Sequence, residues 1–114
     1  MKLMKSIVAT VATLTIATSA FAETNLTAET ASPGGATHLS LAHLTEIAGT
    51  KGVANIQLAD GQTLTNSIQN VAEGKTDIAG TPYILPFLMS RGVGPYGSLG
   101  KEKGAELASN LRVI

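Results

Sequence analysis

Two short polar stretches, each opening an apolar periodic segment, have the residue types and spacing that suit an anionic ligand. The first runs from Ser32 through Pro33, Gly34, Gly35, Ala36 and Thr37 to His38, and the second from Asp60 through Gly61, Gln62 and Thr63 to Asn66. Where a glycine turn or a threonine opens a helix, free main-chain N–H groups and the positive end of the helix dipole face outward, which suits a carboxylate. A Gly34-Gly35 pair also makes a tight turn with no ligand at all. Thr63 and Asn66 can hold a ligand by side-chain hydrogen bonds, and a threonine followed three residues later by a polar side chain is equally an ordinary helix start.

His38 stands near the first helix start, within reach of a ligand there, whereas His43 reads as a packing or solvent-facing residue. The five-residue spacing puts the two histidines on different helix faces and no acid sits at a useful spacing, so no metal is expected. Asp77, after Gly74 at a strand start, reads as a structural residue closing its turn. There is no Gly-x-Ser-x-Gly elbow, no phosphate-loop lysine motif and no acid pair suited to proton transfer. No catalytic residue and no cofactor are therefore expected. Tyr83, Pro86 and Phe87 suit either a groove or the core, and as an apolar run they read as core.

The elements that position these stretches follow from periodicity. Leu26, Ala28 and Ala31, with Thr27 and Thr30, predict a strand ended by the turn formers Ser32 to Gly35. Leu41, Leu44, Ile47 and Ala48 recur at helical spacing and predict a helix from Thr37 to Ala48, stopped by Gly49 and Gly52. Val53, Ile56 and Leu58 predict a second strand, turned by Asp60 and Gly61. Thr63 or Thr65 caps a second helix, buried through Leu64, Ile68, Val71 and Ala72 and ended by Gly74.

A third strand is expected over Thr76 to Gly80, then a helix from Tyr83 to Ser90 with Pro82 in its first turn and a kink or restart at Pro86. The glycine-rich stretch Gly92 to Gly104 reads as a surface excursion, followed by a helix from Lys101 to Asn110. Alternating strands and helices predict an α/β fold with parallel pairing. In such sheets ligands bind at the carboxyl ends of the strands, which here are Ser32 to His38, Asp60 to Asn66 and Thr81 to Tyr83.

Composition bounds the setting. Lys2 and Lys5, an apolar stretch from Ile7 to Ile16, and Ala20-Phe21-Ala22 have the three regions of a secretory signal peptide. The apolar stretch is shorter than the roughly 20 residues a spanning helix needs, so cleavage after Ala22 is expected over membrane retention. The exported part, residues 23–114, keeps six basic and eight acidic side chains, a net charge of −2. Its basic residues are scattered without interleaved aromatics, which argues against a nucleic-acid partner. The chain has no cysteine, so neither a disulfide framework nor a thiolate site is available. With few aromatics, its core must be built from Ala, Leu, Ile and Val.

Taken in order, Pro33 to His38 opening one helix, Gly61 to Asn66 opening a second, and Glu73-Gly74-Lys75-Thr76-Asp77-Ile78-Ala79 resemble the start of a TRAP transporter solute receptor of the TAXI family. The resemblance covers all of residues 23–114. It implies a periplasmic receptor of two α/β lobes closing over a small anionic or zwitterionic solute, with this chain as the amino-terminal part of the first lobe in a type 2 periplasmic-binding-protein-like fold. It also implies membrane transporter subunits as partners, and Gly35, Thr37, His38, Thr63, Asn66 and Thr81 as this lobe's wall of the site. The paired aromatics usual after the glycine turn in that family are replaced here by Thr37, His38 and Leu39, so the ligand's identity does not carry over.

Residues Asn110 to Ile114 read as a helix passing into a strand start, so the chain is expected to be cut within an element. Two other outcomes stand beside a receptor: an exported enzyme or sensor on the same scaffold, or a fragment without activity. Intact-mass measurement of the secreted protein is expected to give a chain beginning at Glu23; a mass retaining residues 1–22 would contradict cleavage.

Overall fold

Strand β1 (Asn25–Glu29) lies between two parallel neighbours, β2 (Asn55–Ala59) and β3 (Ile78–Ala79), giving the order β2-β1-β3. The computed structural model describes residues 23–114, so the expected signal peptide lies outside the described residues. The helices are α1 (Ala36–Thr50), α2 (Leu64–Ala72), α3 (Ile84–Arg91) and α4 (Gly100–Ser109), with a 3-10 helix at Gly94–Leu99 between the last two. The chain is a small mixed α/β domain, as the alternation of elements predicts.

Register explains the layering. Ala28 stands opposite Leu58 on one side and Ile78 on the other, an apolar row across all three strands. With Leu26 and Ile56 this row packs under Leu41, Leu44 and Ala48 of α1. Side chains alternate between sheet faces, so Glu29 points the other way, where Asn70 of α2 donates to both of its carboxylate oxygens at 3.0 and 3.2 Å. The strand order reverses direction after β2. Two crossovers running in opposite directions along the sheet go with α1 and α2 on opposite faces, as the common hand of such connections requires.

A second core lies away from the sheet: Ile68 and Ala72 of α2, Met89 of α3, Tyr96 of the 3-10 helix and Leu107 of α4, with Leu85, Leu88 and Leu99 around them. The α3–α4 contact is made through glycine. A Cβ on Gly104 would come within 2.2 Å of the Met89 carbonyl oxygen, and one on Gly92 within 2.4 Å of the Gly100 carbonyl oxygen. Gly92 also ends α3 in the left-handed region at φ +61°. The stretch expected as a surface excursion thus builds this core, because Tyr96 turns inward and is 1% exposed.

Other boundaries differ for local reasons. Val53 is exposed and precedes β2, since it falls on the wrong parity to share a face with Ile56 and Leu58. Helix α1 runs through Gly49 and stops at Gly52, whose φ is +65°. Strand β3 shrinks to two residues, because Asp77 uses its carboxylate as well as its N–H on β1: Oδ2 accepts from Thr27 N at 2.8 Å and from Thr27 Oγ1 at 3.1 Å. Asp77 is structural, but it clamps a neighbouring strand instead of closing its own turn.

Helix α3 is continuous across Pro86. It begins at Ile84, so Pro86 sits in the first turn, where no N–H is needed, and the helix does not restart there. Residues 111–114 carry no strand. No helix among the described residues is long and apolar enough to cross a membrane. Gly104→Ala is expected to lower unfolding free energy by about 1–3 kcal/mol through overpacking, measured by urea denaturation; Gly97→Ala, where a Cβ meets nothing within 4 Å, serves as the control.

Candidate functional site

Parallel pairing brings the three strand ends to one edge of the sheet, and main-chain hydrogen bonds carry the pairing beyond the strands. Thr30 N donates to Ala59 O at 2.9 Å, Gly61 N to Ala31 O at 3.0 Å, and Gln62 N to Thr30 O at 3.1 Å. On the other side Gly80 N reaches Glu29 O at 3.3 Å. The loops after β1, β2 and β3 therefore start from fixed positions.

Gly35 is the extended N-cap of α1 and no side chain caps that helix. The N–H groups of its first turn stay open to an acceptor from outside. The turn before it bends at Gly34, with φ +83°, and closes through Gly35 N to Ser32 O at 3.2 Å. Thr37 lies beside Gly80, where a Cβ would stand 3.3 Å from Thr37 Cβ and 3.1 Å from Leu41 Cδ1. Glycine at this position lets β3's end approach α1. Beneath them the hydroxyl of fully buried Thr30 donates to Thr37 Oγ1 at 3.4 Å. His38 Nδ1 is buried with no hydrogen-bond partner.

Helix α2 begins differently. Thr63 Oγ1 accepts from Asn66 N at 3.3 Å, while Gln62 Oε1 accepts from Thr63 N at 3.0 Å and from Asn66 Nδ2 at 3.4 Å. The polar groups of Thr63 and Asn66 are thus turned onto their own helix start. Thr81 donates its hydroxyl to Pro82 O at 3.4 Å.

Of the six residues singled out from sequence, Gly35, Thr37, His38 and Thr81 gather around the switch between β1 and β3. Thr63 and Asn66 share the same sheet edge through the Gly61 and Gln62 stitching, without side-chain bonds to the other four. Sequence reasoning passed over Thr30, Gln62 and Gly80. Thr30 has the same parity as Ala28, which signals burial; Gly80 gave no signal, because its neighbour Leu41 is 39 residues away.

A groove of about 360 Å³ lies elsewhere, over the sheet face that carries Thr27, Glu29 and Gln57 and against Lys75 and Thr76. Most of its polar side chains are already engaged: Thr27 with Thr76 and Asp77, Glu29 with Asn70, and Lys75 with Glu73. The strand-end cluster, with its uncapped helix, is the better candidate. Hydrogen bonds from Lys75 and Gln69 hold the Glu73 carboxyl below its ordinary value, but this pair stands at the far end of α2. Among the described residues no group of three His, Asp or Glu side chains is placed to hold a metal.

No protein-family model matches the chain, and no curated protein or solved structure gives a significant match.

The buried Tyr96 hydroxyl donates to Thr65 O in the first turn of α2 at 3.0 Å, and burial pushes its pKa from 10.0 up to about 12. Unfolding frees the phenol to ionise at its ordinary value, so the contribution of Tyr96 to stability is constant below about pH 10 and is lost as pH rises from 10 toward 12. Urea melts at stepped pH are expected to show this decline in the parent. In Tyr96→Phe the decline is smaller, with stability at neutral pH lower by about 1 kcal/mol.

Proposed function

We propose that the chain forms part of the first lobe of a non-catalytic, extracytoplasmic solute receptor of the TRAP transporter TAXI type. It captures a small carboxylate-bearing solute, an organic acid or amino acid, and delivers it to membrane subunits. The observation that carries the reading is the β2-β1-β3 order. This order sets the amino ends of two helices from opposite faces at one sheet edge, with the switch point between β1 and β3, where open α/β sheets take their ligands. The uncapped start of α1 beside Thr37 and His38 supplies N–H donors suited to a carboxylate. Gly35, Thr37, His38, Thr63, Asn66 and Thr81 form this lobe's wall. The order of motifs from Pro33 to Ala79 supports the same assignment.

Titration calorimetry of the secreted chain with succinate, pyruvate and L-alanine tests the reading, with succinamide as the uncharged control. Binding of at least one carboxylate and none of the amide is expected; no binding by any of the three would overturn it. For a binding carboxylate, Thr63→Ala is expected to weaken affinity by about 1–3 kcal/mol, whereas Thr63→Ser, which keeps the cap, retains it. Unchanged affinity in Thr63→Ala removes Thr63 from the site.

A further inference from the structure

The 3-10 segment Gly94–Leu99 has no part in the strand-end cluster, yet one of its side chains reaches the start of α2. Tyr96 lies 31 residues beyond Thr65, is 1% exposed, and donates its hydroxyl to the Thr65 carbonyl. A phenylalanine would fill nearly the same space in the second core, so the hydroxyl is not required for packing alone. The bond falls within the turn that holds Thr63 and Asn66. From inside, that turn has its main-chain bond from Ser67 N to Thr63 O at 2.9 Å, a long cap in which Thr63 Oγ1 accepts from Asn66 N at 3.3 Å, a hydroxyl contact between Thr63 and Thr65 at 3.2 Å, and the Gln62 side chain; none of these ties it to the second core.

The opposite end of the helix is held separately, by Asn110 Nδ2 donating to Ala72 O at 3.0 Å. Helix α2 thus has one tie from the α3–α4 unit at each end. Only the tie at its amino end touches the turn that faces the candidate site.

We infer that Tyr96 is a positioning residue: its hydroxyl fixes the first turn of α2, and through it the placement of Thr63 and Asn66 at the sheet edge. This rests on the receptor reading for the identity of what those residues hold, though the positioning itself needs no ligand. It assigns a role in the site to a segment outside it. The second core then does more than stabilise the lobe, because it sets the geometry of one of the two helix amino ends.

The test compares Tyr96→Phe with Asn110→Ala, which removes the tie at the carboxyl end, in the full chain without solute. Amide chemical shifts and hydrogen exchange are read by NMR. In Tyr96→Phe the amides of Thr65, Asn66 and Ser67 are expected to shift, and exchange of Ser67 and Gln69 to quicken about fivefold relative to Ala28 and Thr30 in the sheet. In Asn110→Ala the first turn is expected to stay unshifted, with changes confined to the residues around Ala72. Equal shifts of the first turn in both variants, or none in Tyr96→Phe, overturn the positioning role. Where succinate, pyruvate or L-alanine binds the parent, affinity is expected to fall about fivefold in Tyr96→Phe and less than twofold in Asn110→Ala. If none binds, the receptor reading fails while the solute-free comparison still decides the role of Tyr96.

Discussion

Every strand contact in the sheet passes through β1. It alone has partners on both edges, and its Ala28 is completely buried between Leu58 and Ile78 and beneath α1. A methyl group is what this middle position accommodates, and a larger side chain would push the α1 layer away or break the row. The rest follows from that placement. Because β1 lies in the middle, the loop leaving it is flanked by the loops leaving β2 and β3, and three polar segments distant in sequence become neighbours.

The chain reaches this arrangement without cystine and with few aromatics, so it depends on closeness of contact. The first core consists of alanine and branched aliphatics on one sheet face. The second achieves density by leaving side chains out, at Gly92 and Gly104, so that the α3 and α4 backbones touch. Dispersion between atoms at contact distance stands in for the larger area that bulkier residues would bury.

The sheet and its two crossover helices were legible from residues 23 to 80, because Leu26, Ala28, Ile56 and Leu58 alternate cleanly and Thr63 to Ala72 has a sharp helical stripe with a capping residue. The candidate site was legible to the extent that it lies at strand ends. What escaped was non-local. Nothing near Gly80 announces its contact with Thr37 and Leu41, and nothing near Tyr96 announces Thr65. The glycines from Gly92 to Gly104 read as loop formers because their turn preference is a local signal, whereas their use as contact surfaces depends on a helix the local pattern does not contain. Pro86 misled in the opposite sense: its penalty depends on its position within the helix, and the start of α3 moved by one residue.

The two cores share no buried residue, and the sheet meets the helical half chiefly along α2, where the Glu29–Asn70 pair is polar. Cooperativity between the halves is therefore carried by one helix with a hydrophilic seam. Such a seam makes the natural boundary between two foldons: β1 and its neighbours with α1 on one side, and α3 and α4 with α2, whose buried apolar face lies in their core, on the other.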